Sequence, residues 1–201
     1  MASRVWKVLS KTLPTCWRFR DYVAVAPNLY HRDGPDCKDD NPTRKARLRD
    51  TTIINDINAA IGFLKNHRQV DGGRLGIVGF CMGGRLVYLM SAANKALKAG
   101  VMFYGSGTMV PFGDGPSPFD RTREIGCPIQ GHFGADDQNP SPEDMRKLDA
   151  ELTKWGKVHE FHTYAGAAHA FVNSGSNNYR PRAAALSWPK ATEFFSRHLV
   201  G

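Results

Sequence analysis

The chain has 201 residues, of which 41% are hydrophobic and 23% are charged. These values are ordinary for a globular protein and exclude collagen-like, low-complexity and wholly disordered classes. The formal net charge is +8, but residues 1–20 contain five basic and no acidic side chains. We therefore expect an atypical basic N-terminal segment over 1–21 and one nearly neutral domain over 22–201, with neither a nucleic-acid partner nor a membrane span.

The cysteines are widely spaced, at positions 16, 37, 81 and 127. No two of them form the close pairs that zinc sites and redox motifs use. The first residues also lack the apolar stretch and small-residue cleavage site of a secretory signal. This pattern predicts reduced thiols in a cytoplasmic protein without a metal.

From residue 22 onward, short apolar runs alternate with segments of helical periodicity. The predicted strands are 22–26, 75–78, 101–104, 129–133 and 158–164, and the predicted helices are 53–67, 83–94, 142–155 and 182–198, with a loop over 31–50. Ser141 and Asp144 have the spacing of a capping box, and Pro189 is expected to kink or shorten the last helix. Strands separated by helices predict an α/β fold with a mostly parallel, doubly wound sheet flanked by helices. Functional groups in such sheets gather at the carboxyl ends of the strands.

The second predicted strand ends in Gly79-Phe80-Cys81-Met82-Gly83, and a helix begins at once. This strand–turn–helix context is the one that a nucleophile elbow requires, with cysteine in place of serine. Both glycines are expected to be necessary because side chains there would strike the neighbouring strand and helix. The helix N-terminus favours a thiolate at Cys81. The alternative is a buried structural cysteine in a glycine-rich turn.

An acid and a histidine follow two later predicted strands. Asp136 and Asp137 come just after the fourth strand, and His169 stands in a loop of small residues after the fifth. Taken singly, the two aspartates could be a solvated turn and the histidine an ordinary surface residue. Together with Cys81 they give the order nucleophile, acid, base that is typical of α/β-hydrolases.

Three motifs carry a resemblance to a known family: Gly-Phe-Cys-Met-Gly-Gly-Arg, His-Phe-Gly-Ala-Asp-Asp and Tyr-Ala-Gly-Ala-Ala-His-Ala-Phe. Over residues 22–199 the chain resembles the dienelactone hydrolase family of the α/β-hydrolase superfamily. The resemblance implies an ester or lactone hydrolase (carboxymethylenebutenolidase-like) that needs no metal or organic cofactor. It also implies that Cys81 is the nucleophile, that His169 is the base, and that Asp137 rather than Asp136 is the acid.

The expected mechanism proceeds through a thioester acyl-enzyme, with the backbone N–H of Met82 binding the oxyanion. The family takes its second oxyanion donor and its first strands from sequence before the run at 23–30, and residues 1–21 show no strand followed by a glycine-rich loop. We therefore expect a sheet that lacks its first strands, impaired activity, and a monomer or weak homodimer. Arg85 is a weak candidate for binding a substrate anion.

Two other interpretations of the sequence stay open. The first is a truncated, catalytically weak relative that keeps the fold and binds acyl ligands or a partner chain. The second is a thiol redox protein that uses Cys81, which the absence of a resolving cysteine nearby in the sequence disfavours.

Overall fold

The computed structural model describes residues 22–34 and 36–200. In chain order, its main elements are α1 (Asn41–Ala46), α2 (Asp50–Lys65), β1 (Leu75–Phe80), α3 (Met82–Ala93), β2 (Leu97–Phe103), β3 (Ile129–Gly134), α4 (Pro142–Lys154), β4 (His159–Tyr164) and α5 (Pro181–Phe195). Two short 3-10 turns, at His31–Asp33 and Phe119–Glu124, and a π turn at Ser196–Val200 complete the regular structure.

The four strands form one sheet in the order β1-β2-β3-β4, and every neighbouring pair is parallel. The central strands β2 and β3 are almost wholly buried, whereas the edge strands β1 and β4 are partly exposed. Continuous apolar runs are typical of parallel strands that are covered on both faces. The predicted parallel α/β sheet is thereby confirmed.

Helices cover both faces of this sheet. Successive side chains of a strand point to opposite faces, and in β2 Met102 packs with α3 and α4 while Val101 and Phe103 pack with α5. Helix α2 contributes Ile53, Ile57 and Ile61 to the same apolar cluster as α3. The core therefore consists of two apolar layers, one on each side of the sheet.

The predicted start of α4 is confirmed. Ser141 and Asp144 form the predicted capping box at the start of α4, each side chain accepting a hydrogen bond from the other's backbone N–H. Pro189 lies inside α5 but does not end it, since the helix continues to Phe195.

Two predictions for the first part of the domain are wrong. Residues 22–26 belong to no strand, and residues 24–28 are exposed, because in the described residues no further layer covers this apolar run. The predicted loop over 31–50 contains α1, whose N-terminus is capped by Asp40 accepting a hydrogen bond from the Thr43 N–H. This helix is too short and too polar to produce an apolar period.

The predicted basic segment 1–21 lies outside the described residues. Within the described ranges, no helix combines the length and apolar character that crossing a bilayer requires. Cys37, Cys81 and Cys127 are all free thiols.

Candidate active site

Cys81 occupies a sharp turn between β1 and α3. Its φ of 54° and ψ of −120° are unusual for a residue with a side chain, and such strain is commonly kept at functional positions. The turn is held by hydrogen bonds from the Cys81 N–H to the Phe103 carbonyl, at 3.0 Å, and from the Arg85 N–H to the Cys81 carbonyl, at 3.2 Å. The sulfur is thus presented at the carboxyl end of β1.

The glycines around Cys81 differ in whether the structure has room for a side chain at their positions. A Cβ on Gly79 would lie 2.1 Å from the carbonyl oxygen of Gly83, and one on Gly84 would lie 2.6 Å from the Cα of Gly105. A Cβ on Gly83 would meet nothing within 4 Å. The expectation of a steric need is therefore right for Gly79 and wrong for Gly83, because the close approach on the helix side occurs one residue later.

Asp137 and His169 are joined directly. Nδ1 of His169 lies 3.0 Å from Oδ2 of Asp137, and the Asn139 N–H donates to the other carboxylate oxygen at 2.9 Å. Asp137 is only 1% exposed, whereas Asp136 points to solvent. Of the two adjacent acids, the structure brings Asp137 to the histidine.

Cys81 and His169 also interact electrostatically, and each shifts the pKa of the other. Burial raises the pKa of Cys81, but hydrogen bonds from His169 and Ser106, the charge of His169 and the Met82 N–H together bring it down to about 7. Burial lowers the pKa of His169, but Asp137 and Cys81 outweigh that effect and raise it to about 10. Between these values a thiolate and an imidazolium face each other.

Met82 places its backbone N–H against the sulfur of Cys81, next to where an oxyanion would form on a carbon bonded to that sulfur. The second oxyanion donor, which this sequence is expected to lack, would come from before residue 22, outside the described residues. Among the residues that the structure does describe, no group of three or more His, Cys, Asp or Glu side chains could hold a metal ion.

The position of Arg85 does not fit its predicted role in binding a substrate anion. Its side chain is fully buried and forms a two-pronged ion pair with Asp50, at 2.6 and 2.7 Å. It also donates to the carbonyls of Gly107 and Val110 and stacks on the ring of Phe112 at 3.8 Å. With its donors already engaged, Arg85 is corrected from a substrate contact to a brace for the loop that follows β2.

Three further side chains, which were not predicted from the sequence, approach the site. Ser106 Oγ lies 3.5 Å from Cys81 Sγ, the Tyr104 ring contacts His169 edge-on at 5.0 Å, and the Tyr30 hydroxyl points to Met82 Sδ at 3.9 Å. Tyr104 is the last residue of the third predicted strand, and Ser106 follows that strand by two residues. Inspecting the residues at and just after each strand end would have found both.

Comparison with known proteins gives consistent matches. The profile of the "Dienelactone hydrolase family" matches residues 16–199. A protein of Methylorubrum extorquens and one of Synechocystis sp., each named "Putative carboxymethylenebutenolidase", are both 31% identical over 189 residues, which is 89% of this chain. The chain spans 64% of the length of the first relative and 76% of the second.

A solved structure supports the same comparison. A "Putative Dienelactone Hydrolase" from Klebsiella pneumoniae superimposes with a TM-score of 0.76 at 27% identity, covering 85% of this chain and 73% of that one. The fold and the sequence therefore point to the same group of proteins.

Proposed function

Because the chain belongs to the dienelactone hydrolase family, we propose that it hydrolyses a small ester or lactone with Cys81 as nucleophile, His169 as base and Asp137 as orienting acid. The observation that carries this proposal is the hydrogen bond between His169 and Asp137, together with the mutual pKa shifts of His169 and Cys81, at the carboxyl ends of β1, β3 and β4. Each member of the set follows a different strand, so the sheet itself sets their spacing.

In the acylation step, the Cys81 thiolate attacks the carbonyl carbon of the substrate. A sulfur–carbon bond forms, the carbonyl π electrons move to oxygen, and the Met82 N–H donates to that oxyanion. When the intermediate collapses, the carbon–oxygen bond to the leaving alkoxide breaks. His169 protonates that alkoxide, and Asp137 supports the imidazolium through Nδ1.

The thioester is then hydrolysed. Neutral His169 removes a proton from water as the water oxygen attacks the thioester carbon. Collapse of the second intermediate breaks the carbon–sulfur bond, releasing a carboxylic acid and the Cys81 thiolate. The imidazolium re-forms beside the thiolate, which restores the starting ion pair.

The test is turnover of p-nitrophenyl acetate and of an aliphatic lactone by the wild type and by Cys81→Ala. Cys127→Ala is the matched control, since Cys127 is a buried thiol that packs with α2 and α3. We expect turnover by the wild type and by Cys127→Ala, and none above background by Cys81→Ala. Equal turnover by Cys81→Ala and the wild type would overturn the proposal.

A different outcome would favour the second candidate, a catalytically weak relative that binds acyl ligands or a partner chain. Under that interpretation, the wild type would bind a non-hydrolysable acyl analogue, with Cys81 protected from alkylation, and yet show no turnover.

A further inference from the structure

Ser106 contacts Cys81 through both its backbone and its side chain. The Ser106 N–H donates to the Cys81 carbonyl at 3.2 Å, and Ser106 Oγ lies 3.5 Å from Cys81 Sγ, within the range of hydrogen bonds to sulfur. Ser106 is 7% exposed, so water competes little for its hydroxyl. One residue therefore holds the nucleophile's backbone and touches its reacting atom.

The turn that carries Ser106 is fixed from several sides. A Cβ on Gly105 would lie 2.5 Å from Met102 Cε and 2.8 Å from the Gly84 carbonyl carbon, so the backbone approaches α3 as closely as glycine permits. Gly107 has a φ of +75°, and its carbonyl accepts from Arg85 Nε at 3.0 Å. Arg85 is in turn held by Asp50. The hydroxyl is thus positioned before any substrate arrives.

We propose that the Ser106 hydroxyl donates a hydrogen bond to the Cys81 thiolate, and that Ser106 is a positioning residue that stabilises the thiolate for attack and for departure. This inference rests on the proposed role of Cys81 as nucleophile. It gives a function to a side chain that neither motif nor spacing singled out.

The other groups that influence the Cys81 sulfur act on it differently from the Ser106 hydroxyl. His169 faces Cys81 from the loop after β4 and supplies positive charge, and the Met82 N–H approaches from α3. Burial is the main cause that raises the pKa of Tyr30 and Tyr104, and the charge of Cys81 adds a smaller increase to both. Ser106 is the neutral side chain whose hydrogen bond lowers the pKa of Cys81, with burial acting in the opposite direction.

The hydrogen bond has an effect on each half of the reaction. It stabilises the thiolate but loses most of its strength when the sulfur is acylated and becomes neutral, because charge-assisted hydrogen bonds are the stronger kind. Ser106 therefore increases the thiolate fraction before acylation and improves the thiolate as a leaving group during hydrolysis of the thioester.

The test is the pH dependence of Cys81 alkylation by iodoacetamide, followed by mass spectrometry of the Cys81 peptide. For Ser106→Ala we expect the midpoint to rise by about one pH unit, which is about a tenfold lower thiolate fraction below the midpoint. The limiting rate at high pH should be unchanged or slightly higher, since a more basic thiolate is a better nucleophile. A Ser106→Ala substitution that only disturbed the structure around Cys81 would lower that limiting rate.

Three companion variants make the test specific. Ser106→Thr keeps the hydroxyl and should restore the midpoint. Ser106→Cys keeps the size with a weaker donor, so it should shift the midpoint upward by less, and it serves if Ser106→Ala does not fold. Thr108→Val is the matched control, since the Thr108 hydroxyl donates to the Gly105 carbonyl at 3.4 Å and has no hydrogen bond to Cys81 within the described part of the chain, so this variant should leave the midpoint in place.

Identical midpoints for the wild type, Ser106→Ala and Ser106→Cys would overturn the inference, as would an equal shift in Thr108→Val. Alkylation requires no ester turnover, so the two proposals fail in different ways. If the alkylation midpoint depends on Ser106 but the protein has no hydrolytic activity, the proposed function is wrong and the proposed Ser106 hydrogen bond is still supported.

Discussion

Asp136 and Asp137 are adjacent in the chain, yet only one faces the site. Asp137 is buried and bonded to His169, whereas Asp136 is exposed. We expect Asp137→Asn to lower kcat by on the order of 10³–10⁴-fold, because an amide cannot support the imidazolium. Asp136→Asn should change kcat less than about twofold. Steady-state turnover of an activated ester measures both, and the reverse ranking would show that the wrong acid has been assigned.

The pH profile of kcat/KM follows from the thiolate and the imidazolium. The pKa of Cys81 lies near 7, so activity should rise with pH up to that point as the thiolate forms. The pKa of His169 lies near 10, and above it the proton that an alkoxide leaving group needs is gone. We therefore expect a bell-shaped profile for an alkyl ester and loss of the upper limb for a p-nitrophenyl ester, whose leaving group needs no proton.

That comparison of two esters can also fail in a recognisable way. A kcat/KM that is flat from about pH 5 to pH 7 would mean that the ionisation of Cys81 does not change in this range. An upper limb of the same size for both esters would mean that His169 does not act by protonating the leaving group.

At the scale of elements, the turn between β1 and α3 can be tested through its glycines. Gly79→Ala should destabilise the protein by about 3 kcal/mol or more, since the new methyl would strike backbone atoms that cannot move aside alone. Gly83→Ala is the matched control, because its Cβ would meet open space and alanine favours a helix by up to about 1 kcal/mol. Urea unfolding compares the two, and equal losses would contradict the described turn.

The sequence predicted those elements whose causes are local. Ser141 and Asp144 are three residues apart and cap α4 as their spacing requires, and the buried central strands read directly as apolar runs. Arg85 could not be interpreted in this way, because its partner Asp50 lies 35 residues away. Residues 22–26 have the composition of a strand, but a strand also needs a covering layer, which composition does not report.

The site shows the same division between local and distant causes. Cys81, Asp137 and His169 are recognisable because each follows a strand in a motif of its own. Ser106 has no motif, and its importance comes only from the close approach of the turn after β2 to α3. The assembly state, expected to be a monomer or weak homodimer, stays a prediction, as does the role of residues 1–21.

On the scale of the whole molecule, a buried histidine links stability to pH. His132 is fully buried in β3 and hydrogen-bonded to Tyr164 and Gln130, both at 2.8 Å. Burial, with smaller effects of His162 and Lys190, lowers its pKa from 6.5 to about 3. Below about pH 6.5 the unfolded chain therefore binds a proton at His132 that the folded chain does not bind. The free energy of unfolding falls as the pH falls, by about 1.4 kcal/mol per pH unit.

Urea unfolding at about pH 7 and pH 5 measures this effect. The wild type should lose more stability between the two conditions than His132→Gln, which removes the titrating group. His67→Gln, at a partly exposed position just after α2, should behave as the wild type does. A His132→Gln protein with the same pH slope as the wild type would contradict the linkage.

The most direct test of the central claim is to trap the acyl-enzyme. The wild type is mixed with excess p-nitrophenyl acetate near pH 7, quenched in acid within the first turnover, digested, and analysed by mass spectrometry. We predict one acetyl group on the peptide that contains Cys81, labile to hydroxylamine as a thioester is, and none on the peptides of Cys37 or Cys127. Ester turnover without acetylated Cys81, or an acetyl group on another residue that hydrolyses at the rate of turnover, would contradict the account.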